Sequence, residues 1–383
     1  MRILILGGDG YLGWPTAMHF AARGHEVTVM DNYLRRRMAL EKDSEPLVPL
    51  VPMPERVRRF EAETGKRIRA VVGDCCDHEH LLQVVRDSAP EVIVHYAEQP
   101  SGPYSMSDYR SARLTLENNL GATFNVIWAV MEAAPDCHIV KLGTMGEYGT
   151  PNIDIEEGWI DVTHKGRTQK FLYPRQAGSL YHTTKVLDTD LLWFYVRMHG
   201  LQVTDLMQGP VYGLSTEETD LHEELATSFS YDDIFGTVVN RFVVQAVAGV
   251  PLTVYGKGGQ TRGYLHIRDT LQCIELAANS PPGKGQLRIL NQFTEPFSVN
   301  QLAERVKTVG DRMGLKVQVQ PVENPRKEAE DHYYNPAHSG LLELGLQPHY
   351  LTDEVMASML EQVLRHRDAI DRRKILPRVR WSS

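Results

Sequence analysis

The chain has 383 residues, 42% of them hydrophobic and 23% charged, with a formal net charge of −8. That length supports one large domain or two smaller ones with a sizeable core. The acidic balance excludes general affinity for nucleic acid, which needs basic patches, yet a local arginine cluster can still hold an anion.

In chain order, "RILILG" from residue 2 reads as a strand buried on both faces and "YLGWPTAMHFAARG" as the helix after it. Between them Gly7, Gly10 and Gly13 form GxxGxxG, which permits a tight turn and close backbone approach to a pyrophosphate at a helix N-terminus. "EVTVMD" is the second strand. It ends on Asp31, about 20 positions beyond the glycines, where a carboxylate accepts hydrogen bonds from a ribose diol and repels a 2′-phosphate. NAD is therefore expected over NADP. Residues 34–66 show no strand pattern and are expected to be an irregular excursion with one short helix. Arg35, Arg36 and Arg37 read there as a solvated loop or a cofactor rim.

"IRAVVGD", "EVIVHYA" and "HIVKLGT" are the third to fifth strands, with Asp74 after the third and Thr144 closing the fifth. "HLLQVVRDSA" and "TLENNLGATFNVIWAVMEAA" supply helices between them. Such alternation implies an α/β fold with a doubly wound parallel sheet of Rossmann type. "LQVTDLMQGPVYG" adds a sixth strand and its exit loop. "PLTVYGKGGQTRGYLHIRDT" reads as two short strands around a Gly-rich turn, and "SVNQLAERVKTVGDRMG" as a helix capped by a serine. The expected division is 1–200, a dinucleotide-binding part, and 201–383, mainly a smaller α/β substrate-binding part with some strands returning to the sheet. The basic tail after 370 is expected to pack loosely.

No apolar run approaches the roughly 20 residues of a membrane span, and "MRILILGG" lacks the features of a signal peptide. A soluble, cytoplasmic protein is expected. Cys75, Cys76, Cys137 and Cys273 show no CxxC spacing and read as reduced, buried or half-buried thiols, so no metal site is expected.

The catalytic signal lies in "GSLYHTTK". Tyr181 and Lys185 stand four apart, neighbours on a helix face. An ammonium lowers the pKa of a nearby phenol, making it a base for an alcohol that gives hydride to NAD. With the glycine turn upstream and Thr144 at the edge of the sheet, this constellation points to an NAD-dependent alcohol oxidation.

The glycine turn, "LGTMGEYG", "YHTTK" and "PLTVYGKGGQTRGYLHIRDT" resemble the extended short-chain dehydrogenase/reductases that act on nucleotide sugars. "GGDGYLGWPTA", "EQPSGPYSM", "VKLGTMGEYGTPNIDIEEG", "MQGPVYG" and "NPRKEAEDHYYN" narrow the likeness to the branch that builds a sulfonated hexose from UDP-glucose and sulfite. The resemblance implies oxidation of glucose C4, loss of water across C5–C6, addition of sulfite at C6 and return of hydride to C4. It makes Tyr181 the base at O4, Lys185 the group that lowers its pKa and holds the nicotinamide ribose, and Thr144 a hydrogen-bond partner of O4, with Tyr181 and Lys185 both touching the cofactor. Related 4,6-dehydratases carry Asp-Glu after that threonine, where this chain has Met145 and Gly146. His182, about 100° around the helix from Tyr181, is the expected acid and base in their place; Glu147 is a second candidate.

By the same resemblance Asp9, Tyr11, Leu12, Asn32, Arg35, Cys75, Tyr96, Ala97, Asn119, Leu142, Gln208 and Val211 join the cofactor surface. Gln208, Arg241, Thr253, Val254, Tyr255, Gln260, Arg262 and Arg326 join the UDP-sugar surface, with Val254 and Tyr255 acting through their backbone. A homodimer through "TLENNLGATFNVIWAVMEAA" and the helix starting near Leu180 is implied too. Two departures stand out: Pro100 replaces an arginine of the family pattern, and Thr184 a serine. A UDP-hexose 4-epimerase or 5,6-/4,6-dehydratase without sulfite is the alternative, and a non-catalytic NAD-binding regulator a remoter one.

Overall fold

The computed structural model describes residues 1–325, 332–376 and 378. Seven strands form the central sheet: β1 Arg2–Leu6, β2 Glu26–Asp31, β3 Ile68–Val72, β4 Val92–His95, β5 His138–Thr144, β6 Gln202–Gln208 and β7 Gln286–Gln292. Their order is β7-β6-β5-β4-β1-β2-β3 and every neighbour is parallel. Ile3 to Leu6 and Val92 to Val94 are buried on both faces, which a strand tolerates only with helices above and below.

The helices of eight residues or more are α1 Gly13–Ala22, α2 Leu34–Glu41, α3 Met53–Thr64, α4 His78–Ser88, α5 Tyr109–Ala133, α6 Leu180–His199, α7 Val238–Ala248, α8 Ile267–Asn279, α9 Val299–Arg312 and α10 Asp353–Arg365. Side chains of α4, α5 and α6 share one core with the sheet, and those of α1, α3 and α8 the core on its other face. A third core joins α7, α9 and α10 around Leu252 and Val254. Ser298 caps α9 as expected, accepting from the backbone N–H of Gln301. The two short strands around the Gly-rich turn enter different small sheets. Leu252–Tyr255 pairs with Val319–Val322, whereas Thr261–His266 pairs with Glu295–Ser298 and Val211–Tyr212.

Three expectations are corrected, and one element, a hairpin, was not anticipated. The 34–66 excursion holds two helices, not one; Pro52 and Pro54 mark the start of α3 rather than a break in it. A hairpin, Trp159–His164 with Arg167–Leu172, follows β5 and is pinned to α6 where the Trp159 and Trp193 rings meet edge to face at 4.9 Å. The tail is not loose over 371–376. Ile375 is buried, Lys374 Nζ binds Glu45 Oε2 at 2.6 Å, and the Asp371 N–H donates to Tyr231 Oη. Cys76 is exposed, while the other three thiols are buried.

Candidate active site

The chain runs β1, β2, β3 toward one edge of the sheet and returns beside β1 to lay β4, β5, β6 toward the other. That reversal opens a crevice at the carboxyl ends of β1 and β4, the usual ligand position in such sheets. A cavity of about 570 Å³ fills it.

Gly7, Gly10, Tyr11, Leu12 and Gly13 form its floor. A Cβ on Gly13 would overlap Gly7 O, and one on Gly7 would lie 2.8 Å from the Tyr96 carbonyl carbon, so this turn packs backbone against backbone. No side chain caps α1, which leaves its positive N-terminal dipole to an anion. Asp31 Oδ2 accepts from the Asp9 N–H at 2.9 Å and Oδ1 from the Tyr33 N–H at 2.6 Å. Burial, then the charge of Asp9, pushes Asp31 up to about 6. These residues fit a dinucleotide, with phosphates over the glycines and a ribose diol at Asp31.

Asn32, Arg35, Asp74, Cys75, Tyr96, Ala97, Leu142, Gln208 and Val211 also line the cavity. Asn32 Nδ2 donates to Asp74 Oδ2 at 2.8 Å, and the Arg35 guanidinium lies 3.4 Å over the Phe235 ring. Asp9 lies behind the wall. Its carboxylate takes two bonds from Arg36, at 2.6 and 2.7 Å, and one from the fully buried Arg56 at 3.0 Å. Asn119 is buried too, bonded to the Gln99 backbone and to Thr184 Oγ1.

Thr144, Tyr181 and His182 meet on the cavity wall with Met145, Gly146 and Pro100. Thr144 ends β5 and caps a tight turn, its Oγ1 accepting from the Gly146 N–H at 3.2 Å. Ser179 caps α6 and sets its first turn, and Ser179 Oγ lies 3.0 Å from His182 Nδ1. The His182 ring covers Gly146 so closely that a Cβ there would overlap it. The residue type that removes an acid from position 146 thus makes room for the imidazole. Glu147 is turned away and fully buried. It receives the Thr144 N–H and Thr189 Oγ1 and lies 3.5 Å from Arg175 Nη1. That network makes it a scaffold and corrects its candidacy as acid or base.

Burial, then the charge of Glu98, holds Tyr181 well above its usual range, which corrects the lowering expected from Lys185. Lys185 is buried behind it, with Nζ 2.5 Å from Glu98 Oε2. Glu98 falls within "EQPSGPYSM" but has no role in the sequence reading. Arg36 reads there as a solvated loop or cofactor rim rather than a clamp on Asp9, and Arg56 carries no signal, since their partner lies 27 and 47 positions away.

The far end of the cavity is lined by Arg241, Thr253, Tyr255, Gln260 and Arg262. Arg241 Nη1 donates to Tyr255 Oη at 2.7 Å, Gln260 Nε2 to Tyr255 O at 3.1 Å, and Arg262 Nη1 reaches His332 Nε2 at 2.8 Å. Gln245 holds Thr253 through both its backbone and its hydroxyl. Val254 points into the third core and is absent from the cavity wall. Arg326 lies outside the described residues. Tyr264 and Tyr334, unmarked in the sequence reading, complete this end, and Phe235, also unmarked, lines the cavity beneath Arg35.

A model of the NAD dependent epimerase/dehydratase family matches residues 3–291. UDP-sulfoquinovose synthase from Spinacia oleracea, described as chloroplastic, is 50% identical over 99% of this chain and 79% of its own. The protein of that name from Sulfolobus acidocaldarius is 47% identical over 100% of this chain and 98% of its own. Among solved structures, UDP-glucose 4-epimerase from Thermotoga maritima with UDP-glucose superposes with a TM-score of 0.69 at 19% identity, covering 95% of this chain and 99% of that one. The Thermus thermophilus epimerase with NAD gives 0.66 at 22%, covering 97% and 100%.

Proposed function

The chain belongs to the NAD-dependent epimerase/dehydratase family, and from that premise we propose that it is a UDP-sulfoquinovose synthase, which replaces the 6-hydroxyl of UDP-glucose by sulfonate. Identity of 47–50% to two synthases over 99–100% of this chain supports this over an epimerase or a simple dehydratase. The structural observation that carries it is the His182 ring seated over Gly146, beside Thr144 and Tyr181.

Bound NAD supplies a hydride acceptor at the start and the same hydride at the end, so no external reductant is consumed. Its phosphates would lie on Gly7, Gly10 and Gly13, its adenosine ribose at Asp31, and its nicotinamide end near Tyr181 and Lys185. Tyr181 takes the proton of the sugar 4-hydroxyl, and Thr144 holds O4. The resulting C4 ketone acidifies the C5 proton, which allows loss of the 6-hydroxyl as water. His182 takes the C5 proton and protonates the leaving oxygen, work that a neutral imidazole suits. Sulfite adds through sulfur at C6, C5 is reprotonated, and Tyr181 returns its proton to O4 as hydride returns to C4. UDP-glucose and bisulfite thus give UDP-sulfoquinovose and water.

Arg241 and Arg262 serve the diphosphate, where a planar guanidinium offers two-point contact. Residues 1–200 carry the cofactor and 201–383 most of the sugar nucleotide. Among the described residues no helix is long and apolar enough to cross a membrane. The exposed Leu116, Phe124 and Trp128 of α5 and Leu187, Phe194 and Met198 of α6 form the face through which two copies pair. Incubation with UDP-glucose, with and without sulfite, followed by mass spectrometry, tests the reading. A sulfite-dependent sulfonate supports it; loss of water alone, or no turnover, overturns it.

A further inference from the structure

One carboxylate on the cavity wall has no part in the chemistry above. Glu98 lies three residues beyond β4, with its side chain 3% exposed. Oε2 receives Lys185 Nζ at 2.5 Å; Oε1 stands 3.5 Å from His95 Nε2 and has no hydrogen-bond partner among the described residues. Lys185, itself absent from the cavity lining, is thus ion-paired to a carboxylate that lines it.

The groups around this pair keep it charged. Burial opposes ionisation of Glu98, but the charge of Lys185 above all holds it below its usual range. Burial likewise opposes the charge on Lys185, and Glu98 and Asp188 outweigh it. Burial brings His95 down to about 4, so it is neutral. Lys141, on β5, is itself offset by Asp205 at 3.6 Å and Glu147 at 3.9 Å.

A dehydrogenase that releases its oxidised product must also pass the alcohol's proton to water. A site that returns the hydride must return the proton too. Without Glu98 the ammonium would lower the pKa of Tyr181, so its phenolate would hold a proton less tightly. We propose that Glu98 is a positioning residue for proton transfer: by pairing with Lys185 it keeps the proton taken from the sugar on Tyr181 until hydride returns. The role rests on the C4 oxidation-and-return reading. The step balances: the O4–H bond breaks as the phenol O–H forms, and both reverse at the end.

The test is an ultraviolet titration of tyrosinate, taken as the difference between each protein and the same protein carrying Tyr181→Phe. Parent, Glu98→Asp and Glu98→Gln are compared, with the pH profile of NADH formation from UDP-glucose followed in parallel. Tyrosinate is expected at lowest pH in Glu98→Gln, next in Glu98→Asp and last in the parent, with roughly one pH unit or more between the extremes. The rate profile shifts in the same direction. Should Glu98→Gln fail to fold, Glu98→Asp carries the comparison, with a smaller shift of the same sign. Coincident curves in the variants that fold overturn the proposal. The titration needs no substrate, so it fails or succeeds apart from the functional reading. A parent inert toward UDP-glucose overturns that reading and, with it, the purpose assigned to Glu98.

Discussion

Gly146 and His182 are packed so that no side chain fits between them; a Cβ on Gly146 would overlap Cδ2 and Nε2 of the imidazole. Gly146→Ala should therefore push His182 off the sugar while leaving Thr144 and Tyr181 in place. The expected result is a loss of at least about tenfold in release of water from UDP-glucose, within the range a positioned acid or base contributes. NADH formation in the same mixture should persist. Equal rates of water loss in variant and parent would contradict the assignment.

Asp9 is clamped by Arg36 and Arg56, and the Arg56 side chain has no exposure. Removing one partner of a buried pair leaves charge poorly compensated. Arg56→Met keeps much of the volume, and stability should still fall by about 3 kcal/mol in urea unfolding. NAD should bind more weakly, because the Asp9 backbone N–H anchors Asp31. An unchanged midpoint would contradict this.

Burial lifts Asp31 to about 6 in the folded chain, above its ordinary value near 4. The fold thus favours the neutral form. That contribution to stability is full below about pH 4 and is lost as pH rises through about 6. A ribose diol, a hydrogen-bond donor, favours the charged form instead. The rise in melting temperature on adding NAD should therefore grow from about pH 5 to about pH 7. Asp31→Asn should flatten that trend, and an identical trend in the variant would contradict it.

Phe194 lies exposed on α6 with Leu187 and Met198. If this face joins two copies, Phe194→Glu should shift the mass measured by light scattering from dimer to monomer. The isolated fold should keep its helical content. A parent that is monomeric at the same concentration would remove the basis for the interface.

Features carried by local pattern were legible in the sequence. Gly7, Gly10, Gly13 and Asp31 follow from the first strand and turn, and Tyr181 and Lys185 from helical spacing. Features set by distant contacts were not. A return of strands to the sheet after 201 was expected, but not which segment makes it: β7, Gln286–Gln292, joins beside β6 although both its ends are polar. α3 begins at prolines that also mark loops. Glu98 lies 87 positions from Lys185, and Glu147 is a scaffold only because β5, α6 and Arg175 converge on it. Val254 alternates inward where Thr253 and Tyr255 face the cavity, a register that only the small sheet with Val319–Val322 sets.

The most direct test mixes NAD-loaded protein with UDP-glucose in a single turnover and follows the absorbance of reduced nicotinamide. With Tyr181→Phe, NAD should remain bound while the rate falls by roughly a thousandfold, the loss expected for a removed general base. A variant that reduces its NAD as fast as the parent would contradict the account.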